Sequence, residues 1–289
     1  MISLPVVLYA RPAIAAFAAM GVLWGTFAAV LPGLKAMLGV DEAQLGLLIF
    51  LTPIAAICAM LAAPAFGAAL GRAALPLSVA LMACAFALPG QASVVWMFPI
   101  AMACAGAATG LTDVLMNARV AAMETQRGLH LMNLTHAAYS FGYAGGAVVT
   151  GALRGAGWGP GAVMGTMAAL GLACALLTLE RNGRIEGLRK PKDGSAVPLG
   201  LVPVIGGGIV LIAFMTENAA ENWSALHIEK TLGGSPEEGA LGPAMLALTM
   251  GFARLGGQWI AGRVDPFTIL RVGAVIAAAG ALVVAQAGG

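Results

Sequence analysis

This sequence predicts an all-α, polytopic membrane protein. Three observations point there. Hydrophobic residues fill 60% of its 289 positions and charged residues only 10%, against about 25% charged in soluble domains. Mean hydropathy is +0.91. The apolar residues run in blocks of about 20, the length a helix needs to cross a hydrocarbon core, and not in segments of about 10 with alternating polarity, as in a spanning barrel.

Nine spans are expected, at 13–33, 45–66, 74–92, 94–118, 131–153, 158–179, 199–223, 240–261 and 267–287, each an apolar run between polar interruptions. The first follows "MISLPVVLYARP". Its "AFA" at 16–18 imitates a leader cleavage site, yet no charge precedes the apolar residues and the run outlasts a leader, so it reads as a retained helix. The turn "LGVDEAQLG" opens the second and "GRAA" closes it. The third and fourth lie between Arg72 and Arg119, and the fifth follows "QRGLH". The sixth ends at "ERNGRIEGLRKPKDGSAVPLG", a charged, Gly- and Pro-containing stretch that reads as a linker. The seventh ends in "ENWSALHIEK", "LGGSPEEGALG" precedes the eighth, and "GRVDP" separates it from the ninth.

Eleven cationic residues, Arg11, Arg72, Arg119, Arg127, Arg181, Arg184, Arg189, Lys190, Lys192, Arg263 and Arg271, fall on one side of this layout. Lys35, Arg154 and Lys230 fall on the other. Because cationic loops stay inside, the N-terminus is expected in the cytoplasm. The turn "LGVDEAQLG" with Gly71-Arg72 recurs as "LGGSPEEGALG" with Gly262-Arg263, which suggests two parallel repeats. The expected domains are a six-helix N-terminal bundle at 1–180, a cytoplasmic linker at 181–198 and a partial C-terminal bundle, helices seven to nine, at 199–289. A net charge of +2 without a basic patch interleaved with aromatics offers nothing to nucleic acid. No CxxC or Cys/His cluster suggests a metal, and no cofactor is expected. Cys58, Cys84, Cys104 and Cys174 read as small apolar fillers.

The informative residues are polar ones inside spans. A carboxylate at mid-membrane costs roughly 2.5–3.5 kcal/mol on insertion scales, so Asp113 should face the bundle interior and have a partner or a role. Thr109, Asp113 and Asn117 share one face of span four, and His136, Ser140 and Tyr143 one face of span five. A short hairpin joins these spans, so Asp113 is expected to meet His136 across a water-accessible cavity. A buried carboxyl beside an imidazole can change protonation as access alternates, which suits a proton-coupled carrier. The alternative is that Asp113, Asn117 and His136 only hydrogen-bond neighbouring helices.

Glu217 and Glu221, one turn apart in span seven, are expected nearer the outer side than Asp113. Glu217 is then an outer element of the pathway, and Glu221 and Glu229 belong to a solvated helix end. Nothing brings Glu217 and Asp113 to one depth for two-carboxylate hydrolysis, so an enzyme is not expected. Glu124, between Arg119 and Arg127, should be solvated surface that could pair with either. Arg254, inside span eight, is expected to snorkel to the cytoplasmic side. Gly21-x-x-x-Gly25 and Gly142-x-x-x-Gly146 would let backbones approach, and Pro53, Pro64, Pro99 and Pro243 are candidate bends.

Two bundles joined by a cytoplasmic linker resemble the major facilitator superfamily of secondary transporters. The run "DVLMNARVAAMETQRGLHLMNLTHAAYSFGYAGGA" is similar to a fucose-permease-like bacterial subgroup with a D-x-x-x-N, E and H-x-x-x-S-x-G pattern, matched by Asp113, Asn117, Glu124, His136, Ser140 and Gly142. Glu217, Trp223 and Ser224 match further elements. The family's loop signature implies a conformational role for Arg72 and Arg263, although Gly stands here where that signature has Asp. The resemblance implies a multi-pass transporter that moves a small, sugar-like solute with protons by alternating access. The family has twelve spans and nine are expected here, so a chain truncated after helix nine, serving as a non-transporting membrane protein or interaction scaffold, is the alternative.

Overall fold

The computed structural model describes residues 4–185, 188, 200–260 and 263–286. Among them every regular element is helical: α1 (Leu4–Leu38), α2 (Glu42–Ile49), α3 (Leu51–Leu70), α4 (Ala74–Ala87), α5 (Met97–Arg127), α6 (Met132–Gly155), α7 (Pro160–Leu177), α8 (Val202–Lys230), α9 (Pro236–Ile260) and α10 (Pro266–Gln286), with 3₁₀ turns at Gly71–Ala73 and Pro89–Gln91. Every expected span is present. The second is divided into α2 and α3 at Phe50, whose N–H bonds only to the Leu47 carbonyl at 3.2 Å. Pro53 lies three residues on. It has no N–H for the Ile49 carbonyl, and its ring crowds that carbonyl. Pro64 and Pro243 lie inside helices. Pro99, expected as a bend, is the third residue of α5, in a first turn where a missing N–H costs nothing.

The helices outrun the apolar blocks, because polar residues prolong a helix beyond the hydrocarbon as long as its end is capped. α5 continues past Arg119 to Arg127 and stops at Gly128, whose φ of 62° lets its N–H reach the Glu124 carbonyl at 2.8 Å. At the start of α2 the Asp41 carboxylate accepts from the Gln44 N–H at 2.7 Å while the Gln44 side chain accepts from the Asp41 N–H at 3.1 Å, a capping box. Of the linker expected at 181–198, only 181–185 and 188 are described. Arg189, Lys190 and Lys192 lie outside the described residues, as does Gly262 of the second Gly-Arg pair.

α1 is the hub of the packing. It lies along α6 and α7 and touches α4, α5, α8 and α9, while α3 packs on α5 and α4 on both α5 and α7. Phe17, Leu23, Phe27, Leu75, Met82, Phe86, Phe98, Met102, Leu115 and Val163 form the core of the first six spans. Trp24 stands edge-on to Phe27 and Phe86 at 5.5 and 5.0 Å, inside that core.

The two glycine pairs face each other. A Cβ added at Gly142 would lie 2.6 Å from the Ala18 carbonyl oxygen, and one at Gly146 would strike that of Val22. Cβ atoms at Gly21 and Gly25 would strike the Tyr139 and Tyr143 carbonyls. α1 and α6 therefore cross backbone to backbone. Gly106 and Gly110, a pair the sequence reading missed, seat α5 on the carbonyls of Thr52 and Ala56 of α3 in the same way.

Among the described residues six helical stretches are long and apolar enough to cross a membrane, and one of them, Glu42–Gln91, is 50 residues long and holds α2 to α4. Their outer faces carry exposed Leu47, Leu61 and Leu176, as lipid requires. Three of the cysteines, Cys58, Cys84 and Cys104, are exposed as well, so they fill no core gaps. α6 and α9 are not among the six stretches. They pack on each other instead, with Ala144, Ala147, Ala240, Ala244 and Ala247 closing around Tyr143 and against Ala28 and Ala29 of α1. α8 packs on α9 and touches α1, and α10 is exposed along its described length.

Candidate transport pathway

The seam between α6 and α9 carries buried polarity. Arg254 of α9 donates through Nη1 to the Ser140 Oγ at 2.6 Å and to the His136 carbonyl at 3.2 Å, with its guanidinium carbon 6.0 Å from the Tyr139 ring centroid. The expected snorkelling does not occur. Packing of α9 on α6 puts two acceptors beside the guanidinium, which costs less than stretching toward a distant surface.

His136 and Ser140 thus meet at Arg254, whereas Tyr143, on the same helix, is only 2% exposed and closed inside the alanine cluster. The expected pairing of Asp113 with His136 does not form. The Asp113 Oδ1 accepts from Asn117 Nδ2 at 3.1 Å, and the same amide donates to the Asp113 carbonyl at 2.9 Å. The His136 ring stands edge-on to Phe17 of α1, with centroids 4.8 Å apart. The hairpin joins α5 and α6 in sequence, but α5 packs against α3 and α4, and α6 against α1 and α9.

Glu217 and Glu221 are partly buried on α8. They lie within electrostatic range of each other and of Arg254. The half-buried Tyr139 is within range of both and of Asp113 too. Glu221 is no solvated end. Glu229 is not one either: it forms a bidentate ion pair with Arg154, Nη1–Oε1 at 2.5 Å and Nη2–Oε2 at 2.9 Å.

At the arginine-rich end, Glu124 pairs with neither arginine. Its Oε1 accepts from the N–H groups of Leu131 and Met132 at 2.5 and 2.9 Å, capping the otherwise open start of α6. Arg119 instead meets Glu180 through two bonds of 3.0 and 2.9 Å, and Arg127 stacks 4.4 Å above the Tyr9 ring. Arg72 is exposed in the 3₁₀ turn Gly71–Ala73, and Arg263 is exposed in the turn between α9 and α10. Among the described residues no three His, Cys, Asp or Glu side chains come together to hold a metal.

Sequence reasoning missed Tyr139 and the partners of Arg154, Arg119 and Arg254. A lone arginine inside an apolar span was the available signal for Arg254. Arg154 and Glu229 stand 75 positions apart with no pattern linking them.

The profile of the Major Facilitator Superfamily matches residues 13–289. The chain belongs to this superfamily. Over 274 residues, 93% of this chain and 70% of the relative, it is 29% identical to an uncharacterized MFS-type transporter of Yersinia pestis. Over 284 residues, 95% of this chain and 73% of the relative, it is 26% identical to an uncharacterized transporter of Sinorhizobium fredii. Crystal structures of the nucleoside transporter NupG, one of a point mutant, superpose with TM-scores of 0.61 and 0.57 at 14% and 15% identity, covering 91% of this chain and 68% of theirs. That likeness is one of fold. Membership makes this facilitator a multi-pass membrane transporter of a small solute and not an enzyme.

Proposed function

We propose that this facilitator moves a small, sugar-like solute together with protons by alternating access, as a member of the fucose-permease-like subgroup in the bacterial inner membrane. In this reading 1–180 and 199–289 belong to two bundles joined by a cytoplasmic linker at 181–198, with the N-terminus in the cytoplasm. The observation that carries it is the cluster at the α6–α9 seam: Arg254 reaches across to Ser140 and the His136 carbonyl, and Tyr139 lies within range of Asp113, Glu217 and Glu221. Ionisable groups set inside a membrane-spanning bundle are costly and mark substrate and proton routes.

Asp113 carries the proton. Asn117 occupies its Oδ1, which leaves the other oxygen for a proton or a solute hydroxyl. Asn117, His136, Ser140 and Glu217 offer donors and acceptors to a polyhydroxylated solute, and the buried Tyr143 holds α6 in register behind them. Arg72, Glu124 and Arg263 shape the loops at the cytoplasmic end.

The test is uptake by purified protein in proteoliposomes under an inward proton gradient, run across a panel of monosaccharides and related polyols. Asp113→Asn should abolish gradient-driven accumulation while leaving solute exchange at equal pH in place. Accumulation that persists undiminished in Asp113→Asn overturns the assignment, and a panel without any uptake overturns the solute class.

A further inference from the structure

At the end of the molecule opposite Arg119 and Glu180, one guanidinium joins three helices. Arg154, in the last turn of α6, forms its two-pronged ion pair with Glu229 in the last turn of α8, and its Nη1 also donates to the Ala29 carbonyl of α1 at 2.7 Å. Both side chains are only 10% exposed. The pair rests on glycines at either side: a Cβ at Gly33 of α1 would lie 3.5 Å from the Arg154 Nε, and one at Gly239 of α9 would lie 2.5 Å from the Glu229 Oε1. Glu237 is within electrostatic range of Arg154 but is exposed and forms no ion pair with it among the described residues. The contact joins the first six spans to the last three. It lies toward the other end of α6 from the contacts that Arg254 makes with His136 and Ser140.

From this geometry we infer that Arg154 and Glu229 form the external latch of the transport cycle: closed, as here, it seals the outer mouth, and it must break for the pathway to face outward. The inference rests on the alternating-access reading above. The Ala29 carbonyl bond makes the latch directional. When Glu229 leaves, Arg154 keeps one partner on its own bundle and remains poised to re-form the pair. A buried charge pair with good geometry is lost at high cost when one partner is removed, because the survivor stays desolvated without a counter-charge. Neutralising either residue therefore favours the open arrangement.

Pulsed electron paramagnetic resonance tests this with spin labels at Met37→Cys and Leu232→Cys. These are exposed positions at the ends of α1 and α8, 38% and 49% accessible, in a background with Cys58, Cys84, Cys104 and Cys174 replaced by Ala. The unaltered latch should give one short distance population. Glu229→Gln should raise the ratio of a longer population to the short one by at least about tenfold, and Glu237→Gln should leave the distribution unchanged. The exchange Arg154→Glu with Glu229→Arg should restore the short population, which also separates loss of the latch from loss of folding. An unchanged distribution in Glu229→Gln, an equal shift in Glu237→Gln, or no recovery in the exchange would each overturn the latch. The distances need neither solute nor proton gradient, so their failure leaves the role of Asp113 standing, and failure of the Asp113 assignment leaves the latch standing.

Discussion

Removing one side of the Arg119–Glu180 pair should be far more damaging than removing both. The two side chains are 4% and 17% exposed, and they meet through two bonds. Arg119 Nη1 has no partner among the described residues, so the guanidinium is already short of one acceptor. Glu180→Ala would leave a desolvated guanidinium with no anion, at a cost of about 3–5 kcal/mol. Arg119→Met with Glu180→Met removes both charges and fills the space with apolar atoms, and should return stability to within about 1 kcal/mol of the parent or above it. In a thermal scan of detergent-solubilised protein followed by fluorescence-detected size exclusion, the single variant should lose roughly 6 °C or more. The double variant should regain most of that. A single-variant loss below about 1 kcal/mol is the behaviour of a solvated surface pair and would refute the buried geometry of this contact. A double variant as unstable as the single would refute the claim that the isolated charge is what destabilises.

Two further outcomes follow from particular contacts. Gly25→Ala forces a methyl into the Tyr143 carbonyl, and a shift of the α1–α6 crossing should cost about 1–3 kcal/mol. At Gly145, where a Cβ meets open space, the same change should gain a few tenths to about 1 kcal/mol, and thermal scans of the two variants side by side check the contrast. Glu124→Ala removes the acceptor for two N–H groups at the start of α6, a loss of about 1–2 kcal/mol of the kind seen at helix caps. Hydrogen exchange at Leu131 and Met132 should accelerate in Glu124→Ala and stay near the parent rate in Glu124→Gln, which keeps a carbonyl oxygen.

The spans were legible because lipid leaves a chain little choice: a run of apolar residues must satisfy its own backbone, and only a helix does so within one segment. The break at Phe50 was legible from Pro53 for an equally local reason. Partners across helices were harder to read. Gly21-x-x-x-Gly25 and Gly142-x-x-x-Gly146 announced close approaches, but nothing in the spacing said that each was made for the other. Proximity in sequence misled at Asp113 and His136, since a tight hairpin fixes where two helices begin and leaves their later neighbours to packing. Arg254 was visible as a costly charge, and its acceptors on α6 were not, because a register between distant helices is written in shape and not in any periodicity of one strand of sequence. Glu124 reads in the sequence as a surface charge, whereas in the fold it closes the start of the next helix.

The polarity of α6 and α9 bears on how the chain is made. Each helix is among the least apolar in the molecule, and each hides its polar flank against the other. The ribosome delivers α6 well before α9, so a newly inserted α6 relies chiefly on α1, through the interlocked glycines and Phe17, to shield its polar flank from acyl chains. Early docking of that pair is then a step of biogenesis: a nascent chain in which α1 and α6 cannot touch would hold a half-greasy helix in the bilayer with no cover until synthesis is nearly done, open to quality-control proteases all the while.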